Sequence, residues 1–190
     1  MLNHSYLVLD LETKKLLFEV GGKQNLGQLG ISVAGVFDSR EQQYFCLREE
    51  AIKDLVPLLN GVDRIVGFNT EGFDFDVLQP YIPDLNLKKL PSLDILSEIA
   101  KITGHRVSME KVAQATLGIG KSADGLMAIK WYHEGNYVDL EKYCLQDVEV
   151  TNKLYLYGLE HGELKFPLKD SNEIKTIKVN FHFEPELTLF

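Results

Sequence analysis

The sequence is poor in the residues that mark several classes of protein. Its 190 residues include only two cysteines, six prolines and one tryptophan. Two cysteines are too few for a disulfide-stapled scaffold, and Cys46 and Cys144 lie in apolar surroundings without the spacing of a metal-binding pair. We therefore expect both thiols to be reduced and structural, in a cytoplasmic protein.

Long apolar runs are also missing. No stretch of the sequence is long and apolar enough to cross a bilayer, and the first residues do not combine a basic segment with a following apolar one. We therefore expect neither a membrane partner nor a signal peptide. No internal repeat or low-complexity segment is visible.

An excess of positive charge is the third absence. Lys and Arg total 20, Asp and Glu total 28, and the formal net charge is −8. This balance argues against a protein whose main role is to coat nucleic acid through its own basic surface. It does not exclude an enzyme that meets phosphate through bound cations, because the metal then supplies the positive charge and the protein supplies acids.

What is present is the composition of an ordinary globular protein, with 45% hydrophobic and 25% charged residues. The length suits one α/β domain with a substantial core. The order of predicted elements is three strands, a helix, a strand and then helices. It indicates a mixed β-sheet flanked by helices, not a doubly wound parallel sheet. We expect residues 1–160 to form this domain and residues 161–190 to extend it as a C-terminal β-hairpin.

Hydrophobic periodicity and turn residues define the predicted elements. Strands are predicted over 6–11, 29–38, 42–49 and 63–69, and 91–96 is a strand-like entry to a helix that runs towards Gly104. Further helices are predicted over 49–61, where Pro57 implies a kink, and over 73–82, 109–118 (capped by Ser108), 123–135 and 137–162; the hairpin covers 162–183, with its turn in "KDSNE".

The first candidate functional pair ends the strand "YLVLD". Side chains two residues apart on a strand face the same way, so Asp10 and Glu12 converge while Leu11 points to the opposite face. Solvated acids are common at strand ends, and an isolated Asp-x-Glu often occurs by chance. The pair alone therefore does not identify a site.

The second feature is "VGFNTEGFDFDVL". An apolar strand ends in Asn69, a turn follows through Gly72, and Phe73-Asp74 opens a helix. A simpler explanation is available for each residue, because Asn69 can hydrogen-bond its own turn and an acid at a helix start can complement the helix dipole. Asp76 competes with Asp74 for any functional role.

The third feature is "YCLQD". Positions four apart share one face of a helix, so Tyr143 and Asp147 are neighbours, and both lie on the apolar stripe of the longest predicted helix. A buried Asp is costly unless it is paired or metal-bound. A Tyr–Asp hydrogen bond within the core is the alternative explanation.

Together the three features supply four carboxylates in a defined order. A hard divalent cation prefers oxygen ligands, and two such ions that clamp a phosphate require about this many acids in one cleft. The combination is therefore more specific than any of its parts.

The three motifs, taken in order and spacing, resemble those of the DnaQ-like, or DEDD, exonuclease superfamily, which has the ribonuclease H-like fold. Tyr143 stands where another branch of that superfamily has histidine, so the resemblance is to the tyrosine branch. The chain is most similar to the exonuclease domains of family B DNA polymerases and to small exonuclease domains that occur alone or attached to helicases. The likeness covers residues 5–160, and the matching residues are Asp10-Leu11-Glu12-Thr13, Asn69, Phe73-Asp74, Tyr143 and Asp147.

This resemblance implies a 3′–5′ exonuclease that hydrolyses single-stranded DNA with two divalent cations, Mg²⁺ or Mn²⁺. It implies that Asp10 bridges both ions, that Glu12 and Asp147 hold one of them, and that Asp74 holds the other. Tyr143 then orients the attacking water or the scissile phosphate. A replication or repair protein is the implied protein partner.

Four residues are predicted to contact the substrate strand, namely Thr13, Asn69, Phe73 and Lys121. Phe68 and Phe73 border the cleft and can stack on a terminal base, although core packing is the simpler explanation for both. Lys121 in "GIGKSADG" can touch a phosphate or be a solvated loop residue.

Several alternatives stay open. An RNA exonuclease of the same fold fits the same motifs, and so does a catalytically silent domain that only binds nucleic acid or a partner, although the complete set of acids argues against the silent domain. Asp94 in "SLDIL" can face the cleft or cap a helix.

Overall fold

The computed structural model describes residues 4–120, 125–168 and 173–183. Lys121 and most of the predicted hairpin turn lie outside these residues. The strands of the central sheet are β1 (Tyr6–Thr13), β2 (Ile31–Asp38), β3 (Gln43–Arg48), β4 (Arg64–Gly67) and β5 (Ser92–Asp94).

The five strands form one mixed sheet in the order β3-β2-β1-β4-β5. β1, β2 and β3 are antiparallel neighbours, whereas β1, β4 and β5 run parallel. The predicted mixed sheet flanked by helices is therefore confirmed, as is the C-terminal hairpin, which consists of β6 (Glu163–Pro167) and β7 (Ile174–Lys178).

Six α-helices and several 3₁₀ segments lie among the described residues. None of these helices combines the length and the apolarity that a membrane span requires. The helices are α1 (Leu55–Asn60), α2 (Asp74–Leu78), α3 (Ile95–Thr103), α4 (Met109–Leu117), α5 (Gly125–His133) and α6 (Tyr137–His161); the 3₁₀ segments are Leu17–Val20, Lys23–Gln28, Glu49–Asp54, Gln79–Tyr81 and Leu87–Lys89.

Three helix predictions differ from the structure in detail. The segment 73–82 consists of α2 followed by the 3₁₀ helix Gln79–Tyr81. The segment 49–61 is a 3₁₀ helix followed by α1, which places Pro57 in the first turn of the α-helix, where its missing N–H has no intrahelical partner to lose. The cap predicted for α4 is also wrong in its chemistry, because Ser108 precedes the helix but its side chain makes no capping hydrogen bond.

The alternation along β1 divides the molecule into two cores. Tyr6 and Val8 belong to the core shared with α6, whereas Leu7, Leu9 and Leu11 belong to the core on the opposite face of the sheet. Asp10 and Glu12 have the parity of Tyr6 and Val8, so they lie on the α6 face of the sheet.

Helix α6 can approach the sheet closely because the residue of β2 that lies beneath the helix is a glycine, Gly35. A Cβ at Gly35 would lie 2.8 Å from both Cys144 Sγ and Val148 Cγ2 of α6. Gly35 is also the cross-strand partner of Asp10. The missing side chain therefore brings the middle of α6 next to the acidic end of β1.

The hairpin packs on the same core as α6. Most of its apolar side chains are buried, although Ile174 is exposed, and Phe181 after β7 fits over Gly158, where a Cβ would lie 2.3 Å from the ring. The domain boundary at residue 160 stays a prediction. The buried hairpin residues are Leu164, Phe166, Ile177, Val179 and Phe181.

Candidate active site

Three carboxylates from two elements meet at the end of β1. One oxygen each from Asp10, Glu12 and Asp147 lie within 4.8 Å of one another. Asp10 and Glu12 are half-buried and Asp147, on α6, is buried. We call this group the acid trio. Carboxylate oxygens are the ligands that hard divalent cations prefer, so the acid trio fits such a cation.

The strand that carries two of these acids becomes irregular directly after them. Glu12 pairs with Val33, but Thr13 pairs with Ile31, so the register shifts between Glu12 and Thr13. Such irregularities re-aim side chains and end regular pairing. The hydroxyl of Thr13 is buried and donates to the Lys15 carbonyl at 3.0 Å, so this arrangement gives no support to the predicted substrate contact of Thr13.

Asp74 is the fourth acid, and it lies beside the acid trio without belonging to it. It is buried at the first position of α2, and the Leu11 backbone N–H donates to its Oδ1 at 2.9 Å. This bond ties the start of α2 to β1, between Asp10 and Glu12. Asp76 instead pairs with Lys88 at 2.6 Å in a more exposed position, so it is Asp74 that the structure places beside β1.

Burial and mutual repulsion dominate the electrostatics of these acids. Burial raises the pKa of Asp10 well above its ordinary value, and the charges of Asp74, Asp147 and Glu12 raise it further. The pKa of Glu12 is raised by burial and then by Asp147 and Asp74. Burial raises the pKa of Asp74 to about 7, although the N–H of Leu11 opposes the shift. Carboxyl groups crowded in this way are typical of functional sites that bind a cation.

Tyr143 lies one helical turn before Asp147, and its phenol lies near the acid trio. Burial raises the pKa of its phenol, and so do the nearby charges, of which Asp147 has the largest effect. The phenol therefore keeps its proton and can donate a hydrogen bond to the Asp147 carboxylate beside it. Its ring lies 6.0 Å from the ring of Trp131 on α5. The predicted neighbourhood of Tyr143 and Asp147 is thus present, whereas their functional roles stay predictions.

Cys144 contacts the acid trio, which the sequence did not indicate. Its Sγ lies 3.7 Å from the carbonyl oxygen of Asp10 and 3.9 Å from Asp10 Oδ2, and this weak donor opposes the rise in the pKa of Asp10. The only available signal was its position in "YCLQD", between two candidate site residues.

Asn69 is held in an unusual conformation at the end of β4. Its φ is +73°, a left-handed value that is uncommon for a residue other than glycine. Its N–H donates to Asp94 Oδ1 at 2.8 Å, and its Oδ1 accepts from Arg106 Nη2 at 2.6 Å. Sequence reasoning missed Arg106, because it is exposed and 37 positions away in the loop after α3.

No contact among the described residues places the rings of Phe68 and Phe73 in the cleft. Phe68 and Phe73 are both half-buried, and they pack against opposite cores of the sheet. This arrangement agrees with the core-packing explanation for both rings. Lys121 lies outside the described residues.

Comparisons with known proteins identify the family and the fold. A family model described as the RNase_H superfamily matches residues 7–157, a range that contains all three motifs. The family B DNA polymerase from the hyperthermophilic archaeon Pyrobaculum calidifontis matches with a TM-score of 0.64 and 15% identity over 82% of this chain. The chain spans only 24% of that polymerase, and at this identity the likeness concerns the fold alone. No curated protein sequence matches the chain.

Proposed function

Because the chain belongs to the RNase_H superfamily, we propose that it is a metal-dependent 3′–5′ exonuclease that hydrolyses phosphodiester bonds at the 3′ end of single-stranded DNA. The observation that carries this proposal is the acid trio with Asp74 beside it. The likeness to a DNA polymerase favours DNA over RNA as the polymer.

The donor set fits two divalent cations, Mg²⁺ or Mn²⁺. All of the donors are carboxylates, and their raised pKa values mean that a cation competes with protons for the same oxygens. Asp10 would belong to both ion sites, Glu12 and Asp147 to one, and Asp74 to the other. When bound, the two cations supply Lewis acidity at the scissile phosphate and a nucleophile at neutral pH.

The side chains of Tyr143 and Asn69 would supply further interactions with the attacking water and the substrate strand. Tyr143 keeps its proton near neutral pH, so it acts as a hydrogen-bond donor that orients the attacking water or the scissile phosphate, not as a free base. Asn69 has its Oδ1 engaged by Arg106, which leaves its amide N–H₂ to donate to an oxygen of the substrate strand.

We also propose a reducing compartment such as the cytoplasm, and a replication or repair protein as partner. The free thiols of Cys46 and Cys144 support the first proposal. The likeness to a polymerase fold supports the second.

The test is a digestion of 5′-labelled single-stranded DNA and RNA with Mg²⁺ or Mn²⁺. We expect a ladder of products that shortens from the 3′ end of DNA. Asp10→Ala and Asp147→Ala should each lower the rate by at least about 100-fold, because each removes a cation ligand. Asp74→Ala and Asp76→Ala form a matched pair, of which only the first should lose activity.

Three outcomes would contradict parts of the proposal. Folded, metal-loaded protein that shortens neither polymer would indicate a catalytically silent domain. Faster shortening of RNA than of DNA would assign the chain to RNA. Activity that survives in Asp74→Ala but not in Asp76→Ala would show that the wrong acid was assigned.

A further inference from the structure

Asp94 is a buried carboxylate that the proposed reaction does not use. It lies at the end of β5, and it accepts four backbone hydrogen bonds. Its Oδ1 accepts from Asn69 at 2.8 Å, Leu96 at 3.0 Å and Ser97 at 3.2 Å, and its Oδ2 accepts from Glu71 at 3.1 Å. These four donors balance the cost of burying the charge.

The four bonds fall into two groups. The N–H groups of Leu96 and Ser97 belong to the first turn of α3, so these two bonds are an ordinary helix cap. The N–H groups of Asn69 and Glu71 belong to a different segment, residues 68–73, which connects β4 to α2. We call this segment the Asn69 turn. Capping α3 does not require any contact with the Asn69 turn, so the second pair needs its own explanation.

The Asn69 turn is a strained connection that Arg106 and Ser92 also hold, through Asn69 Oδ1 and Glu71 Oε1. Asn69 has a positive φ, and the buried Thr70 hydroxyl has no hydrogen-bond partner among the described residues. A Cβ at Gly72 would lie 2.8 Å from Asn69 Oδ1, so the segment is also tightly folded on itself. Strained backbone of this kind persists where the surroundings over-determine it. Asp94 supplies two of the bonds that do so.

The Asn69 turn also connects directly to the site. It carries Asn69, and it ends where Asp74 begins α2 and accepts the N–H of Leu11 from β1. A displacement of this turn therefore moves a predicted substrate ligand and a predicted metal ligand together.

We propose that Asp94 is a positioning residue, which holds the Asn69 turn so that Asn69 and Asp74 keep their places beside β1. This role rests on the proposed nuclease function. The link between Asp94 and the turn can be measured without it.

Asp94→Ser tests the bond to Glu71. Serine caps helices about as well as aspartate, so the first turn of α3 keeps its acceptor, which is also the acceptor of Asn69. A single hydroxyl oxygen lacks the second acceptor, which receives the Glu71 N–H, so the Asn69 turn loses that bond. Asn136→Ser is the matched control, because Asn136 caps α6 by accepting from Asp139 and has no bond to the Asn69 turn.

Three readouts test the role. Amide hydrogen exchange in Asp94→Ser should be at least about tenfold faster at Glu71 and unchanged at Leu96 and Ser97. Calorimetric titration with Mn²⁺ should show an affinity weaker by about 10-fold or more, the loss typical of groups that orient a metal ligand. The kcat/KM on single-stranded DNA should fall by a similar factor, and Asp94→Asn should behave in the same way because it also keeps only one acceptor oxygen.

The role would be overturned if exchange at Glu71 were unchanged, or if it rose while Mn²⁺ affinity and kcat/KM stayed at the wild-type values. If Asp94→Ser does not fold, Asp94→Asn is measured in the same way, and wild-type exchange at Glu71 in that protein would overturn the link. A wild-type protein that binds Mn²⁺ but cleaves neither polymer would refute the proposed function alone. The Mn²⁺ affinities of the variants would still decide whether Asp94 positions the metal ligands.

Discussion

Gly35 is the residue on which the distance between β1 and α6 depends. Alanine at this position adds a methyl group 2.8 Å from Cys144 Sγ and Val148 Cγ2, so α6 must move away from β2. We expect Gly35→Ala to lower the free energy of unfolding by about 1–3 kcal/mol, the usual cost of overpacking. It should also lower kcat by at least about tenfold, because Asp147 moves relative to Asp10.

Gly125→Ala is the control for this substitution. No atom of the described residues lies within 4 Å of a Cβ at Gly125, at the start of α5, so alanine should be neutral or slightly stabilising there. Urea denaturation and single-turnover cleavage check both variants. Wild-type activity in Gly35→Ala would mean that the approach of α6 does not control the site.

Tyr143 permits a test of a single hydroxyl group. Tyr143→Phe keeps the ring near Trp131 but removes the donor to Asp147. We expect folding to be retained and kcat to fall roughly 100-fold, a typical loss for one preorganised donor in an active site. The pKa of the phenol is raised, so the wild-type pH–rate profile should show no limb from Tyr143 below about pH 10. Steady-state kinetics of both proteins from pH 6 to 9 provide the measurement, and an unchanged kcat would exclude a role for the hydroxyl.

At the scale of elements, a substitution in the C-terminal hairpin tests whether the hairpin unfolds together with the sheet. Phe181 is buried against Gly158 of α6 and stacks on Tyr155 with ring centroids 6.1 Å apart. We expect Phe181→Ala to lower the free energy of unfolding by about 3–5 kcal/mol, as for other buried aromatic side chains. The unfolding transition should remain single, because the hairpin and the sheet share one core.

His182→Ala is the neighbouring control, since the His182 side chain is exposed and its loss should have little effect. Denaturation followed by both fluorescence and circular dichroism provides the measurement. Two separate transitions in the wild type would show that the hairpin is a unit of its own.

Periodicity was sufficient to predict most elements and the shared face of Asp10 and Glu12. Alternation along β1 and helical spacing along α6 are local properties, and each determines which side chains point together. Pro57 shows the limit of this reasoning. The sequence predicted a kink at Pro57 in one helix over 49–61, but the structure has a 3₁₀ helix that ends before an α-helix with Pro57 in its first turn.

The unpredicted features depend on contacts between segments that are distant in the sequence. The Asp94 bonds to Asn69 and Glu71, and the Arg106 bond to Asn69, join loops that no periodic pattern relates. The contact of Cys144 with Asp10 depends on Gly35 in a third element. Sequence reasoning could therefore propose the acids of the site but not the groups that hold them.

At the scale of the whole molecule, the crowded acids make the stability of the metal-free protein depend on pH. The folded-state pKa values of Asp10, Glu12 and Asp74 lie above the ordinary values of 3.8, 4.5 and 3.8, and that of Asp74 reaches about 7. Between about pH 4 and 7 these three carboxyl groups therefore bind more protons in the folded state than in the unfolded state. Linkage then requires their contribution to stability to fall as the pH rises through this window.

We expect the Tm of the metal-free protein to drop by at least about 5 °C between pH 5 and pH 8, which corresponds to a loss of a few kcal/mol for a chain of this size. Mg²⁺ or Mn²⁺ should reverse the loss at pH 8, by about 2.7 kcal/mol at a concentration 100 times the Kd. Asp10→Asn should make the metal-free protein more stable than the wild type at pH 8 and remove most of the response to metal, because it relieves repulsion and removes a ligand.

Asp84→Asn is the control for the change of one charge, because Asp84 is exposed and outside the site, so its pH and metal responses should match those of the wild type. Scanning calorimetry with a chelator and then with Mg²⁺ provides the measurement. A metal-free Tm that rises from pH 5 to pH 8 would contradict the raised pKa values, and an equal metal response in Asp10→Asn would mean that the stabilising cation binds elsewhere. Only a falling Tm together with a metal response that depends on Asp10 agrees with crowded acids that repel one another until a cation binds between them.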